Sequence, residues 1–243
     1  MRILVISDIH ANLAAFEAVL ADAGQVDAVL CLGDIVGYGP DPNECVALLR
    51  DLHPLVSLSG NHDWAVLGKL EVEDFNHDAQ AAIRWTQSAL HPDHRAYLQS
   101  LPPAGQFGDF TLAHASPRYP VWEYITDTLT AAENFEYFNT PYCLVGHTHA
   151  VAIFEQIGAN GYCDLLLPEY GVPLSLGEER LILNPGSVGQ PRDHDPRAAY
   201  AILDDAARTW EVRRVEYPIE QTQARMREIG LPRRLIARLS YGW

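Results

Sequence analysis

The chain has 243 residues, 48% of them hydrophobic, enough apolar side chain for one large core. Asp and Glu number 32 against 17 Lys and Arg, a formal net charge of −15. That field argues against non-specific nucleic-acid binding, and any anionic substrate needs local cations at its site.

The opening Met1-Arg2-Ile3-Leu4-Val5-Ile6-Ser7-Asp8 turns polar too early for a signal peptide. Residues 3–6 read instead as a first strand, an apolar run suited to a sheet covered on both faces. A helix follows near Asn12, with Leu13, Phe16, Val19 and Leu20 on one face and Gly24 as its stop. Residues 28–32 are the second strand, and Gly37-Tyr38-Gly39-Pro40 is a loop. Asp41-Pro42-Asn43-Glu44 combines an N-cap, a proline at the first helical position and a capping-box acid. The helix it opens is expected to bury Cys45, Leu48, Leu49 and Leu52. Residues 55–58 are the third strand. The pattern over 76–100 is helical, with a break at His91-Pro92. Residues 110–113 and 142–145 are strands, with a helix over 129–138 between them. After Ala150 strands dominate, at 151–155, 162–167, 181–184, 199–203 and 210–215. A closing helix follows Pro218, where Leu231, Leu235 and Leu239 repeat every four residues. Arg225, Arg227, Arg233, Arg234 and Arg238 give it a basic face, so this stretch is expected to be one amphipathic helix docked on the body.

There is no internal repeat, and the whole reads as a single α/β domain, 1–243. Two packed sheets with helices outside would accommodate its alternating first part and its mostly β second part. A second domain beginning near Ala150 would leave His147 and His149 on a boundary, away from the other polar clusters. No apolar run is long enough to span a bilayer, so no membrane association is expected. Cys31, Cys45, Cys143 and Cys163 show no CxxC spacing, and three lie in apolar stretches. Reduced, buried thiols in a cytoplasmic protein are the simplest reading.

Five apolar runs end in donor-bearing residues: Asp8-x-His10, Gly33-Asp34, Gly60-Asn61-His62-Asp63, His114 and Gly146-His147-Thr148-His149. A buried carboxylate or imidazole is costly unless paired or bound to a cation. Each of these clusters alone is an ordinary turn or cap signal. Together, at five strand ends, they describe one crevice at the carboxyl edge of an α/β sheet. Oxygen and nitrogen donors without thiolate suit Mn²⁺, Fe, Zn²⁺ or Co²⁺. Seven ligands are too many for one tetrahedral ion and suit two ions sharing a carboxylate. Asp34, following a glycine that permits close approach, is the bridging candidate.

This series resembles the calcineurin-like metallophosphoesterase superfamily over positions 8 to 149. Asn184-Pro185-Gly186-Ser187-Val188-Gly189-Gln190-Pro191-Arg192 is similar to a segment of its small bacterial phosphodiesterase branch. The resemblance implies a four-layer α/β/β/α sandwich with two mixed sheets and two divalent metal ions per chain, manganese favoured. One ion would be held by Asp8, His10, Asp34 and His149, the other by Asp34, Asn61, His114 and His147. A hydroxide between them would attack phosphorus in line, and His62 would be the general acid that protonates the leaving group. In the Ser/Thr phosphatase branch the motif after Gly33-Asp34 carries an Asp and an Arg, where Gly37 and Tyr38 stand here. That argues against a protein phosphatase and leaves His62 without its usual orienting partner. Asp63 either fills that role or caps the following helix. Arg192 is either a phosphate-binding residue or a surface arginine paired with Asp193 or Asp195. Tyr38 and Trp64 flank the motifs, as stacking surfaces for a base or as packing.

The expected function is hydrolysis of a small phosphoester, a diester in preference to a monoester. The alternatives are a phosphomonoesterase or dinucleoside polyphosphate hydrolase, and, in another class, a silent binding module. The last is disfavoured because every ligand position is filled.

Overall fold

The computed structural model of the protein describes residues 1–158 and 161–243. The chain starts with three parallel strands, β1 (Arg2–Ile6), β2 (Ala28–Cys31) and β3 (Leu55–Ser57), joined by helices α1 (Leu13–Ala23) and α2 (Pro42–Arg50). Asn12 caps α1 with its side chain on Ala15 N–H, and Gly24 ends it. Asp41 stands at the N-cap of α2 with proline following, but makes no side-chain cap bond. Its carboxylate turns instead to Arg225, 2.5 Å away. Three helices follow, α3 (Asn61–Leu67), α4 (His77–Ala89) and α5 (Pro92–Ser100), with the break before Pro92 where the sequence places it.

The second part adds β4 (Ala104–Phe107), β5 (Phe110–Ala113), α6 (Thr128–Asn134), β6 (Tyr142–Leu144), β7 (Val151–Ile157) and β8 (Tyr162–Leu166). It ends with β9 (Leu174–Ser175), β10 (Leu181–Pro185), β11 (Ala198–Asp204), β12 (Thr209–Val215), α7 (Ile219–Glu228) and α8 (Arg233–Arg238). The closing region is thus two helices rather than one. Gly230 at φ 74° and Pro232 interrupt it, since neither residue continues a helix. Leu231, Leu235 and Leu239 are nevertheless all buried against the body.

The strands form two six-stranded mixed sheets, in the orders β3-β2-β1-β11-β12-β9 and β4-β5-β6-β10-β7-β8. Ile3, Val5, Leu30, Leu112, Leu144, Leu183 and Trp210 fill the space between them. Phe16, Val19, Leu49, Ile83 and Leu235 belong to a second cluster, between the first sheet and its helices. Ala131, Phe135, Phe154 and Ile182 form a third, beneath α6 on the second sheet. The layers therefore run α/β/β/α. Because β1, β2 and β3 are parallel, and β5 and β6 likewise, their carboxyl ends lie on common edges. The loops leaving those ends are stitched by backbone bonds: Asp8 N to Gly33 O at 3.0 Å, His10 N to Asp34 O at 3.0 Å and Gly146 N to His114 O at 2.8 Å.

Cys31, Cys45 and Cys143 are buried free thiols, and Cys163 is a partly exposed one. Among the described residues, no helix is long and apolar enough to cross a membrane.

Candidate metal centre

Asp8 follows β1, Asp34 follows β2, and Asn61 opens α3 after β3; His114 follows β5, and His147 and His149 follow β6. All seven ligand-type residues, His10 included, are buried. The two-residue spacings do not act through extended chain. Asp8, His10, His147 and His149 all take positive φ, between 48° and 64°. The chain turns sharply at each strand end and so aims successive donors inward.

Ligand-type atoms of Asp8, His10, Asp34 and His149 lie within 4.8 Å of one another, as do those of Asp34, His114 and His147. Asp34 belongs to both groups. Its Oδ1 accepts the His62 amide at 2.8 Å. Its Oδ2 has no hydrogen-bond partner and stands 3.5 Å from both His10 Nε2 and His114 Nε2. Asp8 is arranged alike. Its Oδ2 accepts the His147 amide at 3.0 Å, and its Oδ1 is unpartnered, 3.3 Å from His149 Nε2. Gly60 lies so close to Asp34 that a Cβ there would meet Oδ1 at 2.1 Å. Only glycine lets β3 deliver Asn61 beside that carboxylate.

The imidazoles show what these atoms lack. His10 Nδ1 faces Val36 O at 3.1 Å and His149 Nδ1 faces Gln190 O at 2.6 Å. A carbonyl only accepts, so each Nδ1 carries the hydrogen and each Nε2 of the neutral ring carries a lone pair. Those two Nε2 atoms are 3.0 Å apart. His114 repeats the pattern, with Nδ1 on Leu32 O at 2.9 Å and Nε2 facing Asn61 Oδ1 at 3.2 Å. The Nε2 of His147 has no partner. Converging lone pairs, with unpartnered carboxylate oxygens among them, are unstable without a cation at their centre, and the backbone carbonyls orient the rings as metal ligands are usually oriented. The donor set, imidazole nitrogen with carboxylate and amide oxygen, fits a first-row divalent metal.

The electrostatics agree. Burial opposes ionisation of Asp8 and Asp34, yet neighbouring imidazoles (chiefly His149 and His114 respectively) hold both well below the usual carboxylate range. Burial pulls His10 and His149 down, and pulls His147 down to about 3. His114 alone is raised, to about 9: burial works against its charge, but Asp34 outweighs that. Asp34 thus favours the charged form of the His114 ring.

His62 is buried, with its ring 4.3 Å from Tyr38, 5.0 Å from His10 and 5.1 Å from Phe75. Its Nδ1 has no partner, and burial lowers its pKa to about 4. Asp63 does not orient it. The Asp63 carboxylate accepts Gly60 N at 2.9 Å, Ile35 N at 3.0 Å and Val36 N at 3.1 Å, closing the helix start and pinning the Asp34 loop. Nor is there room for a carboxylate at Gly37, where a Cβ would lie 2.7 Å from His62 Nδ1 and φ is 89°.

The profile of the calcineurin-like phosphoesterase superfamily domain matches residues 1–207. The chain belongs to that superfamily. It is 39% identical to an uncharacterized protein of Methanocaldococcus jannaschii over 247 aligned positions, covering 99% of this chain and 98% of the relative. The crystal structure of a metallophosphoesterase from Sphaerobacter thermophilus is similar at TM-score 0.92 and 50% identity, covering 100% of this chain and 99% of that one. A hypothetical protein from Pyrococcus horikoshii shares the fold at TM-score 0.78 and 20% identity, with coverage of 100% and 98%.

Further side chains surround the metal-type cluster. Arg192 pairs with neither acid beside it: Asp193 is bonded to Arg214 and Asp195 to Arg197. Its guanidinium carbon lies 5.5 Å over the Tyr38 ring. Tyr38 is buried beneath it, and Trp64 packs with Lys69 instead, so neither offers an open stacking face. The exposed aromatics at the centre are ones the sequence does not reveal. Tyr124 lies 4.0 Å from the His147 ring, and Trp122 lies 5.0 Å from Phe75. Both sit in the long loop between β5 and α6, and no motif marks them.

Proposed function

We propose that this phosphoesterase is a phosphodiesterase acting on small substrates, with two divalent ions sharing Asp34. Asp8, His10 and His149 would complete one site, and Asn61, His114 and His147 the other. The observation that carries the reading is the His10–His149 contact, two Nε2 lone pairs 3.0 Å apart, with both Nδ1 atoms committed to carbonyls. When bound, the ions would neutralise charge on the phosphoryl oxygens and lower the pKa of a water nucleophile. Manganese is the favoured metal, with iron, zinc and cobalt compatible with the same donors.

The protein's own residues divide the remaining work. His62 is held by its ring neighbours beside Asp34, with Nδ1 buried against Gly37, and offers the other ring nitrogen, Nε2, as the proton-carrying atom for the leaving group. Burial disfavours its charged form, so it acts once a phosphate anion stands beside it. Arg192 supplies a positive charge in an otherwise acidic protein and would hold a phosphoryl oxygen. The buried loops keep bulk water from the carboxylates, which strengthens every charge interaction there. Gly37 and Tyr38, in place of the protein phosphatases' Asp and Arg, favour diesters over phosphoproteins. The free thiols accord with a cytoplasmic setting, and neither a nucleic-acid nor a membrane partner is invoked.

Manganese added to chelator-treated protein should give faster hydrolysis of bis-p-nitrophenyl phosphate than of p-nitrophenyl phosphate. Asp34→Asn should abolish both activities, and His62→Ala should lose at least tenfold on diesters with poor leaving groups. A wild type inactive on every ester with each metal would leave a binding module as the better reading.

A further inference from the structure

Arg192 and Arg238 lie side by side, and neither meets a carboxylate among the described residues. Both donate to one neutral oxygen, Gln190 Oε1, at 2.8 Å and 3.2 Å. The Nε of each is buried and makes no hydrogen bond. Two guanidinium groups this close repel each other, and their surroundings are partly desolvated. Burial, and Arg192 after it, push Arg238 below the usual arginine range. Three nearby acids are taken, Asp193 by Arg214, Asp195 by Arg197 and Asp41 by Arg225, and Asp78, in the same cleft as Arg238, makes no ion pair with it.

The pair is tied directly to the metal-type cluster. Gln190 O holds His149 Nδ1, and the Arg192 amide donates to His149 O at 3.0 Å. Tyr38, under Arg192, packs 4.7 Å from the His10 ring. On the other side Arg238 lines an open cleft of about 290 Å³ with Arg234, Asn76 and His77, Asp78 being the one acid in its wall.

We propose that Arg192 and Arg238 form a second anion subsite beside the metal centre, so that the preferred substrate carries a further phosphate-like group besides the one attacked. This rests on the reading of the centre given above and narrows its substrate to diesters that carry at least one further phosphoryl group. A planar guanidinium fork binds phosphate through two parallel bonds, and two forks on a shared amide are preset for such a group. The anion would supply the countercharge that the fold withholds. Arg192 comes from the loop before β11 and Arg238 from the C-terminal helix, so α8 contributes a substrate-binding residue rather than packing alone.

Calorimetric titration of the full-length, metal-free chain with inorganic pyrophosphate tests this, because it reads the arginines without catalysis. Wild type should bind one pyrophosphate. Arg192→Gln and Arg238→Gln should each weaken binding tenfold or more, and Arg238→Lys should weaken it less than Arg238→Gln. Arg233→Gln, exposed on the same helix, should bind as wild type. Circular-dichroism melts identify any variant that fails to fold, and Arg238→Lys and Arg192→Gln then carry the comparison. A folded wild type that binds no pyrophosphate, or glutamine variants that bind it equally well, would overturn the subsite. Absence of ester hydrolysis would count against the metal-centre reading alone and leave this titration unaffected.

Discussion

Asp8, His10, Asp34, His147 and His149 hold φ angles between 48° and 64°, a region that costs a residue with a side chain about 1–2 kcal/mol. Strain of this kind gathers where geometry matters more than stability. At position 34 the cost can be isolated, since glycine escapes it and alanine does not. Asp34→Gly is expected to exceed Asp34→Ala by about 1 kcal/mol in urea unfolding of the metal-free protein. Equal stabilities would show that the angle carries no strain. The proton on His114 gives a second test. With a pKa raised to about 9, the ring is charged at pH 7 in the metal-free state, and ligation requires it neutral. Metal uptake at pH 7 should therefore release about one proton per chain, and affinity should rise with pH up to about 9. Calorimetry in buffers of different ionisation enthalpy measures the proton, and an affinity flat from pH 6 to pH 9 would contradict the assignment. These residues were legible in the sequence because each breaks an apolar run. Their backbone angles were not, because extended and left-handed chain share the same spacing.

Asp63 shows how one element places another. Its carboxylate caps the start of α3 and at the same time ties Ile35 and Val36 behind Asp34. Losing three backbone donors' partner in a buried site is expected to cost about 3 kcal/mol or more. Asp63→Ala should lower the melting temperature and weaken manganese binding together, although it is not itself a ligand; unchanged metal affinity would show that the loop stands alone. In the sequence, Asp63 was equally readable as a cap or as the partner of His62, because both roles need a carboxylate three residues after Gly60. Elsewhere the signals were weaker. Ala104–Phe107 is absent from the strands expected of the sequence, since Gly105 and Gln106 break its apolar pattern, yet it pairs at the sheet edge. The leucine repeat reads as one continuous helix, whereas Gly230 and Pro232 divide it into α7 and α8. Asp41 looked like a simple N-cap, and only the return of the chain's end brings Arg225 to it.

On the scale of the molecule, the first sheet delivers Asp8, Asp34 and Asn61, and the second delivers His114, His147 and His149. The apolar layer between the sheets therefore sets how far apart the two ligand groups stand. Trp210 is fully buried in that layer, on β12. Trp210→Ala should cost about 3–5 kcal/mol in denaturant unfolding while leaving metal stoichiometry unchanged. Loss of metal with modest destabilisation would mean that the centre tolerates less movement than the packing suggests. The α/β/β/α order could be anticipated from the ligand series and its resemblance. Periodicity alone could not yield it, since nothing local says that β10 inserts between β6 and β7 or that β11 lies against β1. Trp122 and Tyr124 were invisible as site residues for the same reason, their positions being set by distant packing, and Arg238 was legible only as one arginine of a basic helix face. The most direct measurement is anomalous diffraction from crystals soaked in manganese. Two peaks about 3.5–4 Å apart, one on each side of the Asp34 carboxylate, are the expected result. A single peak, or none at saturating manganese, would contradict the shared-carboxylate centre.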